Sequence, residues 1–164
     1  MTIAVTFLPR TAPAPLPPIA FIGGGNMASA IIGGLIQQGT PADAFEVVEP
    51  FEAARTKLAQ SFGITAETEA GEGLSRCAVV VWAVKPQTFA EAAKQVRAFA
   101  GDALHLSVAA GIPSDSIARW VGTERVVRAM PNTPALIGQG LTALFARPAV
   151  TASNRRCSSP SGVL

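Results

Sequence analysis

Three consecutive glycines, residues 23–25, join a short apolar run to a longer amphipathic segment. The apolar run IAFI, 19–22, is typical of a buried strand, and the segment from Asn26 to Gln38 repeats its apolar side chains at helical spacing. Glycines at such a joint let the backbone turn sharply and come close to another group. The sequence therefore predicts a strand, a bare-backbone turn and a helix in direct succession.

Short apolar runs and amphipathic segments continue to alternate along the chain. Further strands are predicted at 45–48, near Ile64, and at 78–84, 104–108 and 125–130, with helices at 50–60, 87–99 and 113–120 and a weak helix at 69–75. This alternation predicts an α/β, Rossmann-like, doubly wound fold, with a mostly parallel sheet and helices on both faces.

Composition narrows the class of protein. Hydrophobic residues make up 49% and charged residues 15%, which indicates a globular core, and the net charge of +2 is spread too thinly for a nucleic-acid or polybasic membrane surface. The single histidine, His105, is expected to be a satisfied strand residue, and Cys77 a buried thiol. Because neither Cys77 nor Cys157 has metal-type spacing, we expect no metal. No apolar stretch is long enough to span a membrane, and no address is recognisable, so a cytoplasmic protein is expected.

The glycines fit the pattern G-x-G-x-x-G/A through Gly23, Gly25 and Ala28. In this pattern the first position allows the tight turn, the second lets backbone approach a pyrophosphate, and the third permits close helix–strand packing. The N-terminus of the helix then offers free N–H groups to the phosphates. The pattern predicts dinucleotide binding, with a purely structural glycine turn as the alternative.

Glu49 stands 21 residues past Ala28, at the end of the second predicted strand. A carboxylate there can accept hydrogen bonds from the adenosine ribose, which favours NAD. Arg55, one turn into the next helix, favours a 2′-phosphate instead. A solvated loop carboxylate is the remaining alternative for Glu49, so the sequence leaves the choice between NADPH and NADH open.

Three other stretches follow predicted strands, at 83–87, 107–111 and 130–134. The carboxyl ends of strands are where open α/β sheets bind ligands. Lys85 could neutralise a phosphate or be a plain strand-end lysine. Asn132 and Thr133, between two prolines, could aim an amide and a hydroxyl into a cleft or serve only as turn residues.

Together, the stretches FIGGGNMASAIIGGL, VVWAVKPQ, LSVAAG and VVRAMPNTPALIGQGLTAL closely resemble pyrroline-5-carboxylate reductases, over roughly Pro18 to Val150. The resemblance implies reduction of 1-pyrroline-5-carboxylate to L-proline, the last step of proline biosynthesis, with NADPH or NADH as cofactor. It assigns Asn132 and Thr133 to the neighbourhood of the reacting ring and identifies no catalytic residue. The cofactor-binding residues expected from motif and resemblance together are Ile22, Gly23, Gly24, Gly25, Asn26, Met27, Ala28, Glu49, Ala83, Val84, Lys85, Pro86, Val108, Ala109 and Ala110.

The resemblance also sets limits. Residues 19–150 are expected to form the NAD(P)-binding domain, between a proline-rich lead (1–18) and an atypical tail (151–164), both expected to be disordered. Family members continue into an all-helical C-terminal domain that forms homo-oligomers, and that domain is expected to be missing here through truncation or a frameshift. Ala70 replaces an Asn found in many relatives. The rival hypotheses are a dinucleotide-binding module without catalysis and a β-hydroxyacid dehydrogenase-like reductase.

Overall fold

The computed structural model describes residues 17–131 and 142–150 of the chain. Six strands are present in these ranges: β1 (Ile19–Ile22), β2 (Phe45–Val48), β3 (Val79–Trp82), β4 (Leu104–Ser107), β5 (Val126–Pro131) and β6 (Thr142–Ala146). The helices are α1 (Asn26–Gln37), α2 (Glu52–Phe62), α3 (Pro86–Val96) and α4 (Ser114–Val121). The strands form one sheet in the order β2-β1-β3-β4-β5-β6, parallel except for the antiparallel pair β5 and β6.

Side chains of the central strands alternate between two hydrophobic cores, one on each face of the sheet. Ala20 and Trp82 pack into the core that receives Phe89 of α3 and residues of α4. Phe21 faces the opposite core, which is completed by Ile32 of α1 and residues of α2. Because both faces are covered, these strands need near-continuous apolar sequence. The predicted doubly wound fold with helices on both faces is confirmed.

Four segments differ from the expectations. Helix α2 begins at Glu52, after the predicted Pro50, because Phe51 is extended, and it runs on to a left-handed Gly63 (φ 68°). The strand expected near Ile64 reduces to one bridge between Val48 and Glu67. A 3₁₀ turn over 72–76 replaces the weak helix expected at 69–75. Strand β6 had no counterpart among the expected elements.

His105 is a buried polar side chain of the core with a hydrogen-bond partner at each ring nitrogen. It is fully buried in β4, its Nδ1 accepts a hydrogen bond from the Trp82 indole N–H (3.0 Å), and its Nε2 lies 3.0 Å from the Ala100 carbonyl oxygen. These partners require the neutral ring with the proton on Nε2. Burial lowers the pKa of His105 to about 4. The expectation of a satisfied strand histidine is confirmed.

The first prediction concerns stability in acid. Since the pKa of His105 falls from 6.5 unfolded to about 4 folded, the unfolded chain binds the proton more readily between these values. The free energy of unfolding should therefore drop by about 3 kcal/mol as pH falls from 6.5 to 4. Below pH 4, titration of His105 should cause little further change in the free energy of unfolding. Urea unfolding at several pH values measures this slope.

His105→Gln is the matched variant, because it keeps a polar side chain at the site and removes the titration. Its absolute stability is expected to be lower, but its pH slope over the same window should be shallower than that of the parent chain. Equal slopes for the two chains would contradict the assignment to His105.

The β5–β6 pair forms an edge with exposed apolar side chains on both faces. Phe145 pairs across from Arg128 and is 57% exposed, while Leu144 pairs across from Ala129 and is 44% exposed. Directly opposed residues share a face of a sheet, so Phe145 and Leu144 point to opposite faces. The far end of β6 is held by Arg147, whose guanidinium pairs with Asp115 of α4 and with Glu124.

This edge leads to a second prediction, reversible self-association. An exposed edge strand with apolar side chains is a template for pairing with another chain, so the weight-average sedimentation coefficient should rise with protein concentration. The double variant Leu144→Gln/Phe145→Gln should reduce that rise. Phe51→Ala, which removes an exposed aromatic elsewhere, serves as the control and should leave it unchanged. A single sharp monomer boundary at high concentration would contradict the prediction.

Candidate functional site

The strand order reverses at β1, and this places the candidate site. Strand β1 pairs with β2 on one side and with β3 on the other, so that Ile22 lies level with Val48 and with Trp82. The residues that follow these three strands therefore emerge at the same edge of the sheet. In open α/β sheets the crevice at such a reversal is where ligands bind.

At Gly23 the backbone after β1 passes close to the backbone after β3. Its amide donates to the Val48 carbonyl oxygen (2.9 Å), and the Ala83 amide donates to the Ile22 carbonyl oxygen (2.9 Å). The φ of Gly23 is 95°, and a Cβ on it would stand 2.6 Å from the Ala83 carbonyl oxygen. Only glycine can occupy this position without moving the backbone that follows β3.

Gly25 and the start of α1 form an open surface. A Cβ on Gly25 would meet no atom within 4 Å, and α1 begins without a side-chain cap or an acidic residue in its first turn. The first N–H groups of the helix are thus left for an external acceptor, at the positive end of the helix dipole. Ala28 is fully buried, as the third position of the glycine pattern requires. These features suit a phosphate group.

Glu49 lies at the expected end of β2, but its carboxylate points into the protein. One oxygen, Oε2, accepts a hydrogen bond from the Gly24 amide (2.6 Å), and the other, Oε1, accepts one from the Phe51 amide (2.8 Å). The residue is only 5% exposed. Glu49 therefore fastens the glycine turn to the chain after β2, while its contact with a ribose stays a prediction.

Lys57 is a candidate that the sequence reasoning missed. Its Nζ donates to Asn26 Oδ1 (3.2 Å), which brings a positive charge from α2 to the first residue of α1. The two residues are 31 positions apart in sequence, and no motif relates them. The contact depends on how α2 packs beside α1, and that packing could not be read from local patterns.

The stretches after β3 and β4 take up different positions at the edge. Val84 has its Cγ1 3.1 Å from the place of a Gly23 Cβ, so it lies against the glycine turn beside Ala83. Lys85 is exposed and precedes Pro86, the first residue of α3. Val108 donates its amide to the Trp82 carbonyl oxygen (3.1 Å). Of the two alanines that follow, Ala109 is buried and Ala110 is exposed.

Asn132 and Thr133 lie outside the described residues. Their neighbour Pro131 pairs through the backbone with Thr142, at the carboxyl end of β5. The backbone on both sides of 132–141 thus stands at the same edge as the glycine turn. The role of Asn132 and Thr133 near a substrate stays a prediction.

Other reactive groups in the described ranges lie elsewhere. Burial raises the pKa of the Cys77 thiol to about 11, so it is protonated at neutral pH and buried as expected. Within 17–131 and 142–150, no group of three or more His, Cys, Asp or Glu residues could hold a metal ion. None of the helices in these ranges has the length and apolar character that crossing a membrane demands.

Comparisons with a family model and with curated proteins both identify this chain as similar to nicotinamide-dependent oxidoreductases. Residues 18–111 match the family described as NADP oxidoreductase coenzyme F420-dependent. The chain is 43% identical over 139 residues to pyrroline-5-carboxylate reductase of Pseudomonas aeruginosa, covering 84% of this chain and 51% of that protein. It is 44% identical over 140 residues to the Haemophilus influenzae protein of that name, with the same coverage. The chain thus spans about half the length of the curated relatives it matches.

A solved structure supports the same fold. The pyrroline-5-carboxylate reductase of Coxiella burnetii superposes with a TM-score of 0.80 at 31% identity, covering 87% of this chain and 54% of that one. At this identity and coverage the two chains share the Rossmann-like fold. The resemblance noted from the sequence is therefore confirmed.

A third prediction separates the two outer glycines of the turn. Gly23→Ala should lower the melting temperature by several degrees, because its Cβ meets the Ala83 carbonyl oxygen at 2.6 Å and φ is positive. Gly25→Ala should leave the melting temperature nearly unchanged, since its Cβ enters open space. Thermal unfolding followed by circular dichroism measures both. Equal losses in the two variants would argue against the close crossing at Gly23.

Proposed function

We propose, on the premise that this chain belongs to the NADP oxidoreductase coenzyme F420-dependent family, that it is the cofactor-binding half of a pyrroline-5-carboxylate reductase. The observation that carries the proposal is the meeting of the bare glycine turn, the uncapped start of α1 and the backbone after β3 at the strand-order reversal. The sequence identity to reductases of that name supports the choice of substrate.

The residues present fit a nicotinamide dinucleotide. Gly23 to Met27 would hold the pyrophosphate, because Gly25 leaves open space above the backbone and α1 offers unpaired N–H groups. Lys57 would add positive charge beside that site. Ala83 to Pro86 and Val108 to Ala110 would line the path to the nicotinamide, where small side chains let a flat ring approach.

When bound, the reduced dinucleotide supplies a hydride for the imine carbon of 1-pyrroline-5-carboxylate, and the imine nitrogen gains a proton to give L-proline. The part of this chain is to hold the two rings in register and to limit water at the edge of the sheet. Asn132 and Thr133 are the candidates next to the reacting ring. We also propose a cytoplasmic location and a small-molecule substrate, without a nucleic-acid or membrane partner.

The decisive experiment is a titration of the purified chain with NADPH and NADH, followed by addition of pyrroline-5-carboxylate. We expect saturable binding of the reduced cofactor. Binding without oxidation is the result expected of a cofactor-binding half, and loss of the nicotinamide absorbance on adding the substrate would show that this chain alone also catalyses the reaction. Absence of binding to either cofactor would overturn the proposal.

Gly25→Val gives this experiment a matched variant and is the fourth prediction. Its branched side chain would occupy the open space above the turn, where the pyrophosphate is proposed to rest. We expect at least tenfold weaker binding of both cofactors, with a melting temperature close to that of the parent chain. Unchanged affinity would place the pyrophosphate elsewhere.

A further inference from the structure

Arg147 follows the last residue of β6, and side chains from two other parts of the chain surround its guanidinium. Its Nη1 donates to Ser114 Oγ (3.3 Å) and pairs with the Asp115 carboxylate, both in the first turn of α4. Its Nε donates to Glu124 Oε2 (2.6 Å), in the loop between α4 and β5. We call these four residues the Arg147 cluster. The cluster ties the end of β6 to α4 and to the start of β5.

The charged groups of the cluster are unevenly exposed. The Arg147 side chain is 17% exposed, whereas those of Asp115 and Glu124 are 79% and 61% exposed. The cluster borders an open cavity of about 450 Å³, which Arg119 and Thr123 also line. Water and dissolved ions therefore reach both carboxylates. Because ion pairs in such surroundings are screened by added salt, the attachment made by the cluster should weaken as ionic strength rises.

Strand β6 has few other attachments to the sheet. Within the described ranges it pairs with β5 and with no other strand. Leu144 and Phe145 are 44% and 57% exposed, so they bury little apolar surface. Segments with few buried apolar contacts open at a lower free energy than the core does. Strand β6 is therefore suited to separate while the rest of the sheet stays folded.

The backbone beyond β6 has a second anchor that does not depend on charge. The Arg147 amide donates to the Val126 carbonyl oxygen (3.0 Å), and the Val150 amide donates to the Arg147 carbonyl oxygen (3.0 Å). Val150 is 2% exposed and packs in the core that includes Phe21 and Val127. The apolar contacts of Val150 are insensitive to screening, so it can keep the chain attached when the ion pairs of Arg147 open.

We propose that the Arg147 cluster makes the docking of β6 depend on ionic strength. Salt that screens the cluster increases the fraction of molecules in which β6 has separated from β5, while the parallel strands β1 to β5 stay folded. The β5–β6 ladder ends where Pro131 pairs with Thr142, at the edge that carries the glycine turn, so release of β6 changes the border of the candidate site. The inference goes beyond the proposed function and does not depend on it.

Hydrogen exchange followed by mass spectrometry tests the proposal on the parent chain without any ligand. Exchange is compared at about 0.05 M and about 0.5 M NaCl, which span strong and weak screening lengths. Amides of β6 should exchange about fivefold faster at the higher concentration, whereas amides of β1 should not change. The protein is kept dilute enough that its sedimentation coefficient no longer depends on concentration, because self-association would protect the edge.

Variants identify the group responsible. Arg147→Gln removes both ion pairs, so its β6 amides should exchange about fivefold faster at low salt, with no further acceleration at high salt. Arg147→Lys keeps the charge but loses the planar fork, and should give an intermediate rate that still responds to salt. Lys94→Gln breaks the exposed pair of Lys94 with Glu91 on α3 and should behave as the parent chain does.

Two results would overturn the proposal. One is an equal effect of salt on β6 exchange in Arg147→Gln and in the parent chain. The other is exchange of β6 and β1 at one common rate in the parent chain, since β6 would then open only with the whole domain. If Arg147→Gln does not fold, the double variant Asp115→Asn/Glu124→Gln takes its place, because it keeps the packing of the Arg147 side chain and removes both carboxylates. Fast, salt-independent exchange of β6 is expected there, and a salt response equal to that of the parent would contradict the inference.

Discussion

The backbone crossing between Gly23 and Ala83 is the constraint on which the site depends. Strand β1 is bonded on both sides, and its last hydrogen bonds join Ile22 to Ala83 and Gly23 to Val48. The absence of a side chain at Gly23 lets the three strand ends converge. A wider crossing would separate the turn after β1 from the loop after β3, and the segments proposed to hold the pyrophosphate and the nicotinamide would no longer share one crevice.

The Glu49 carboxylate is the second group that holds the glycine turn in place. A buried charged group is tolerated when hydrogen bonds replace its hydration, and here two backbone amides do so. The side chain then acts as part of the frame of the turn.

Much of the fold could be predicted from the sequence, because strands buried on both faces and helices with one apolar face leave strong local patterns. The joint of β1 and α1 and the strand FEVV were predicted at nearly their observed bounds. Strand β6 was missed because TALFA is short and its partner is chosen by tertiary packing. The direction of the Glu49 side chain and the contact of Lys57 with Asn26 depend on the relative placement of α1 and α2, which no spacing encodes.

The anchoring of residues 23–25 on both sides has a consequence for the kinetics of binding. The turn is held by Val48, by Glu49 and by the first helical bond, from the Ser29 amide to the Gly25 carbonyl oxygen. A ligand that meets such a preorganised surface loses its own freedom but does not have to order the backbone that receives it. If a phosphate binds at this turn as proposed, its association rate should therefore be set by diffusional encounter and orientation, without a slow step in which a loop closes.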